Sequence, residues 1–104
     1  MFTTMKFQSF ILECTLKDHT LSVNALAFAP TGNYLASGSN DGTLIIWDPV
    51  TGLMKNHITF HNPILSLAWD PWHLKRLYVG CEDGTLALLN NSEVRDIIPS
   101  PKIA

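Results

Sequence analysis

The chain is 104 residues long, 46% hydrophobic and 15% charged, a composition that fits at most one cohesive globular domain and not a disordered chain. Its formal net charge is −2, and Lys6, Lys17, Lys55, Lys75, Arg76, Arg95 and Lys102 are scattered, so no basic field exists for a phosphate backbone and no nucleic acid partner is expected. No run approaches the roughly 18 consecutive apolar residues of a membrane span, and residues 1–10 lack a signal-peptide core, so no membrane partner is expected.

In chain order, residues 1–9 read as an N-terminal extension and residues 10–16, ending Cys14-Thr15-Leu16, as a strand-like run. Val23–Phe28 is the first strand of a unit, and the turn Pro30-Thr31-Gly32-Asn33 leads to a second at Tyr34–Ser39. Asn40-Asp41-Gly42 turns into Thr43–Trp47, because a tight hairpin needs a positive φ that Gly supplies without steric cost. Residues 48–52 then turn into a fourth strand, Leu53–Ile58. Leu44-Ile45-Ile46-Trp47 is apolar on successive residues, so both faces of this sheet need cover. Ala25, Ala27, Ala36 and Gly38 are small enough for close sheet-on-sheet stacking.

The unit then repeats. His19 to His61 and Asp41 to Asp83 are both steps of 42, and Ala27-Phe28-Ala29-Pro30 returns as Ala68-Trp69-Asp70-Pro71 at a step of 41. The slip falls in turns, where a structural repeat tolerates insertions. Units at about 15–56 and 57–98 result, the second closing on a strand at Glu93–Ile98 before Pro99 and Pro101 stop pairing and leave 99–104 as a tail. No apolar stripe of helical period is long enough for a helical solenoid. The expected fold is all-β: two four-stranded antiparallel sheets stacked around a common axis.

These residues resemble the Trp-Asp (WD) repeat β-propellers. The first unit carries the resemblance in His19, Leu35-Ala36-Ser37-Gly38-Ser39, Asp41-Gly42-Thr43 and Ile46-Trp47-Asp48-Pro49, and it extends over residues 11–98. It departs at Asp18, where the family has Gly, and in the second unit at Val79 and Leu89-Asn90, which stand where Ser37 and Trp47-Asp48 stood. The resemblance implies two propeller blades, with 10–16 as the outer strand of an adjoining blade. It also implies a buried structural tetrad of His19, Ser37, Asp41 and Trp47, reduced in the second blade to His61 and Asp83, with a stiffer first blade as the consequence.

A Ser, a His and an Asp together also suit a hydrolase, but no G-x-S-x-G elbow occurs and the cluster is expected to be buried, so no catalytic residue is assigned. His57 and His61 are four apart in an extended segment and share no helical face, so no metal ligand is assigned. No cofactor is expected. Cys14 and Cys81 each lie in an apolar run where a buried thiol is the ordinary outcome, and two cysteines build no disulfide framework, which points to a reducing intracellular setting, cytoplasmic or nuclear.

The family's work is protein recognition by loops on one face of the ring. Carried over by position, that face here comprises Ser22, Asn24 and Asn40 in the first blade and Pro63, Leu65 and Glu82 in the second. Trp72 has no counterpart in the first unit and is either a partner contact or a lid over the blade edge. Two blades are too few to close a ring, which takes roughly four to eight. The chain is therefore expected to be a fragment of a longer propeller, to self-associate head to tail, or to be completed by another chain, with the fragment preferred because the open faces carry no added charges. The function expected is a non-catalytic protein-interaction scaffold. The alternative is an accessory segment of an enzyme or signalling protein whose catalytic domain lies elsewhere.

Overall fold

The computed structural model describes Leu12, residues 14–90 and the backbone of residues 93–98. The expected extension 1–9, part of the strand-like run 10–16 and the tail 99–104 lie outside the described residues. Eight strands follow in chain order: β1 Val23–Phe28, β2 Leu35–Ser39, β3 Thr43–Trp47, β4 Met54–Thr59, β5 Ile64–Trp69, β6 Arg76–Cys81, β7 Leu86–Asn90 and β8 Glu93–Ile98. They form two four-stranded sheets, β1-β2-β3-β4 and β5-β6-β7-β8, in which every pair is antiparallel.

Three boundaries differ by one residue from expectation: the starts of β2 and β4, which turn hydrogen bonds explain, and the end of β4, where Thr59 pairs with Thr43. Ala29 N–H donates to the Tyr34 carbonyl at 2.9 Å, which places Tyr34 in the turn before β2. Asp48 N–H donates to the Leu53 carbonyl at 2.8 Å, which keeps Leu53 in the turn before β4. The repeat extends to irregularities: β-bulges fall at Val23/Ala25 and Ile64/Ser66, and again at Ile46/Trp47 and Leu88/Leu89. The Asp-Gly turns repeat as well. Gly42 and Gly84 have φ of 82° and 90°, and each preceding aspartate accepts from the amide two residues on, Thr43 or Thr85, at 2.9 Å.

The sheets pack face to face through one core. Ala36, Leu44 and Ile46 of the first meet Ile64, Leu77, Val79, Cys81, Ala87 and Leu89 of the second. Close approach depends on Gly38, where an added Cβ would overlap Ile64 Cγ2 and lie 3.0 Å from Ile64 Cβ. Trp69 closes one end of the interface, its indole N–H donating to the Ala27 carbonyl at 2.8 Å and its ring stacking on Tyr34 with centroids 6.1 Å apart. Cys81 is buried, but Cys14 is exposed, against expectation. Residues 14–19 join neither sheet, so alternation in this stretch fixes no buried face.

Candidate functional site

The first sheet builds a polar relay from four elements. Trp47, at the end of β3, donates its indole N–H to Ser37 Oγ on β2 at 2.8 Å. Ser37 Oγ lies 2.7 Å from His19 Nε2, and His19 Nδ1 lies 2.8 Å from Thr43 Oγ1. The Thr43 hydroxyl donates to Asp41 Oδ1, while His19 Nδ1 is 3.7 Å from that oxygen. Thr43 therefore stands between imidazole and carboxylate, a fifth member that the sequence reading did not include.

With His19 taken as a neutral imidazole, the donor inventory orders the relay. Thr43 spends its only hydroxyl proton on the carboxylate, so its oxygen accepts from His19 Nδ1–H. In the neutral ring Nε2 is then the acceptor and takes the Ser37 hydroxyl proton, leaving Ser37 Oγ free to accept from Trp47. Donation runs one way, from Trp47 through Ser37, His19 and Thr43 to the charge on Asp41. Asp41 also accepts from the Thr20 amide at 2.8 Å, and from the Thr43 amide. Burial pushes its carboxyl up, but the Thr43 hydroxyl and the Thr20 and Thr43 amides outweigh it and hold the group well below the usual carboxylate range.

This arrangement does not activate a nucleophile. Trp47 is 5% exposed and the His19 and Asp41 side chains are 6% and 9% exposed, so Ser37 faces protein on all sides. The imidazole nitrogen that would take its proton during attack is fixed with its other nitrogen on Thr43, not on the carboxylate.

The second sheet does not bring its pair together. His61 is exposed, and Asp83 instead accepts from the Asn62 amide group at 2.9 Å, as Asp41 does from Thr20. Hydrogen bonds to the Thr85 amide and hydroxyl hold the Asp83 carboxyl below its ordinary value. Val79 and Leu89 are buried where Ser37 and Trp47 stand in the first sheet, so the hydroxyl and indole end of the relay has no counterpart, and His61 stays exposed.

Six of the recognition candidates share one rim, at the β1/β2 and β5/β6 ends that carry the Asp-Gly turns. Asn24, turned out by the β1 bulge, donates to Asn40 Oδ1 at 2.6 Å and to the Ile64 carbonyl at 3.0 Å, so it ties the two sheets together. Ser22, Asn40, Leu65 and Glu82 are exposed and Pro63 is half-buried. A shallow cleft of about 290 Å³ opens beside Asn40 and Pro63, between the Asp41-Gly42 turn and residues 59–62. Trp72 is not part of this surface: 86% exposed, it sits on the β5–β6 turn at the opposite end, where Asp70 accepts from its amide at 2.8 Å. Among the described residues no three His, Cys, Asp or Glu side chains gather as metal ligands, and no helix is long and apolar enough to cross a membrane.

Two consecutive four-stranded meanders, stacked through small residues with their turns at one rim, define neighbouring blades of a β-propeller. The profile of the WD domain, G-beta repeat, matches residues 10–48. The chain is 35% identical over 96 residues to WD repeat and HMG-box DNA-binding protein 1 of Xenopus laevis, an alignment covering 88% of this chain and 8% of that protein. It is 35% identical over 74 residues to Ribosome biogenesis protein BOP1 of Rattus norvegicus, covering 71% of this chain and 10% of BOP1. A chain in the crystal structure of the Mitotic Checkpoint Complex superposes with a TM-score of 0.79 at 30% identity, over 86% of this chain and 29% of that one. The Myceliophteria thermophila Cps50 (Swd1) β-propeller domain shares the fold at a TM-score of 0.73 and 24% identity, over 82% of this chain and 28% of that domain. The chain belongs to the WD-repeat β-propeller family, and it spans about a tenth of the length of these curated relatives.

Proposed function

We propose that this chain is a non-catalytic protein-interaction module whose working surface is the rim of Ser22, Asn24, Asn40, Pro63, Leu65 and Glu82. One observation carries the reading: the Ser-His-Asp cluster that would suggest chemistry is saturated internally and shielded from solvent, while the rim is open, shallow and fixed by the Asn24 hydrogen bonds. A rigid surface of mixed polarity suits recognition of a folded protein or peptide, because little loop ordering is lost on binding. Relatives named for ribosome biogenesis and for a checkpoint complex support work within protein assemblies. Scattered lysines favour a protein partner over DNA, although one relative is named a DNA-binding protein. An intracellular setting, cytoplasmic or nuclear, goes with this reading. The coverage of relatives, about a tenth of their length, also fits the accessory-segment reading, in which this module serves a larger protein.

The test is partner capture by the parent chain and by Leu65→Asp, Glu82→Arg and Trp72→Ala variants whose circular dichroism matches the parent. Loss of the same bound proteins with the two rim variants, and retention with Trp72→Ala, is expected. Retention with both rim variants and loss with Trp72→Ala would move the surface to the opposite end.

A further inference from the structure

A cavity of about 300 Å³ lies between the two sheets, at the end that carries the β3–β4 and β5–β6 turns. Its lining is mainly apolar: Ile46, Leu77 and Leu89 are buried, and Tyr34 and Trp69, stacked on one another, line it beside them. These five side chains belong to the faces that the two sheets turn toward each other. The lining is therefore independent of whatever covers the outward faces.

Two cations complete the lining, one from each sheet. Lys55 stands on β4 and Lys75 on the turn before β6, and both are exposed. Among the described residues neither ammonium makes an ion pair or a hydrogen bond. The carboxylates nearest to them in sequence are already occupied. Asp48 accepts from the Val50 and Thr51 amides at 2.9 and 3.3 Å. Asp70 accepts from the Trp72 and His73 amides at 2.8 and 3.1 Å and from the Tyr78 hydroxyl at 3.2 Å. The exposed Asn56 carboxamide also lines the cavity and can donate to the same anion.

This arrangement suits a guest that is apolar at its tip and anionic at its flanks, with the lysine stems lying along the apolar wall and their heads in water. A volume of about 300 Å³ is at the small end of ligand sites, room for one bulky side chain rather than a cofactor. β4 is the last strand of its sheet, so the backbone groups of its free edge are open to an extended chain running past the cavity. We propose that the cavity docks a short acidic segment of a partner protein, which inserts one aromatic or leucine side chain and sets flanking Asp or Glu carboxylates against Lys55 and Lys75. The site goes beyond the rim reading and shares no residue with it.

Heteronuclear NMR titration of the parent chain with the synthetic peptide Asp-Asp-Phe-Asp-Asp, acetylated and amidated, tests this at the Trp69 indole N–H cross-peak. A saturable shift below about 5 mM peptide is expected. Peptides with Ser in place of Phe, or Lys in place of every Asp, and free phenylacetate are each expected to bind at least about tenfold more weakly. Lys55→Glu combined with Lys75→Glu should weaken the acidic peptide by about tenfold or more and strengthen the Lys peptide. Both sites are exposed, so the fold should survive, and the corresponding Gln pair replaces them if circular dichroism shows otherwise. No saturable Trp69 shift with the acidic peptide, equal binding of the Ser or Lys peptide, or a double variant that binds like the parent overturns the proposal. Phenylacetate binding as tightly as the peptide would assign the cavity to small carboxylates and overturn it too.

Discussion

Replacing Ser37 with Ala removes the one relay group that takes a hydrogen bond from a buried indole and gives one to a shielded imidazole. Trp47 Nε1–H loses its acceptor at 2.8 Å and His19 Nε2 its donor at 2.7 Å, in side chains only 5% and 6% exposed. Each orphaned group costs roughly 1–3 kcal/mol, so with partial relaxation Ser37→Ala should destabilise the fold by about 2–4 kcal/mol. Total stability for a domain of this size is about 5–15 kcal/mol, so the loss is a large share of it. Trp47→Phe removes the donor and leaves the Ser37–His19 bond intact, so beyond its packing loss it strands only one hydroxyl lone pair. The double variant has no stranded indole and should cost roughly 1–2 kcal/mol less than the sum of the singles. Urea unfolding followed by circular dichroism, at one low protein concentration to suppress association, measures all three. A Ser37→Ala chain within about 0.5 kcal/mol of the parent, or strict additivity in the double variant, would refute the donor order given above.

Gly38→Ala should destabilise by about 1–3 kcal/mol, because its Cβ would overlap Ile64 Cγ2; thermal melts should show a smaller penalty when Ile64→Ala accompanies it. Asp41 has a depressed carboxyl pKa in the fold, so its contribution is fully present above the ordinary carboxylate value and drains as pH falls below about 4; Asp41→Asn should flatten the acid limb of a stability–pH curve. A thiol reagent should label exposed Cys14 quickly and Cys81 only on unfolding, since burial and the nearby Asp83 charge push the Cys81 thiol up; equal rates would contradict the packing described. Amide exchange should be slower at Ile45–Trp47 than at Ala87–Leu89, because only the first sheet has a relay across its strands, and the reverse order would deny the relay a stiffening role.

Strand positions were legible because short β-branched runs and Asp-Gly turns punctuate the chain, and because the second unit repeats the first down to its bulges. His19, Ser37, Asp41 and Trp47 were legible only by resemblance, since neither periodicity nor spacing brings residues from three turns and strands to one point. Thr43 escaped because a threonine after Asp-Gly reads as an ordinary turn residue; its return as Thr85 was the available signal. His61 was misleading for a related reason. Its position in the repeat is right, but an imidazole needs Ser and Trp counterparts at the other end of the relay, and Val79 and Leu89 supply neither. Cys14 failed because the strand-like pattern of its segment has no ladder partner in either sheet.

The two blades solve one problem differently, and chain connectivity explains why. A loop must be held against the Asp-Gly turn of each blade. For the loop 60–62, β4 supplies the anchor: Phe60 donates its amide to the Gly42 carbonyl at 2.7 Å and packs its ring on the core. The described residues just before the corresponding stretch 18–20 join no ladder, and its attachments run from His19 to Ser37 and Thr43, and from the Thr20 amide and hydroxyl to Asp41. The relay thus helps tether this segment, whereas the second blade, tethered through the Phe60 amide, has Val79 and Leu89 at the Ser and Trp positions and buries them against its neighbour. Polar saturation in the first blade and apolar packing in the second thus bury the same two positions by different means.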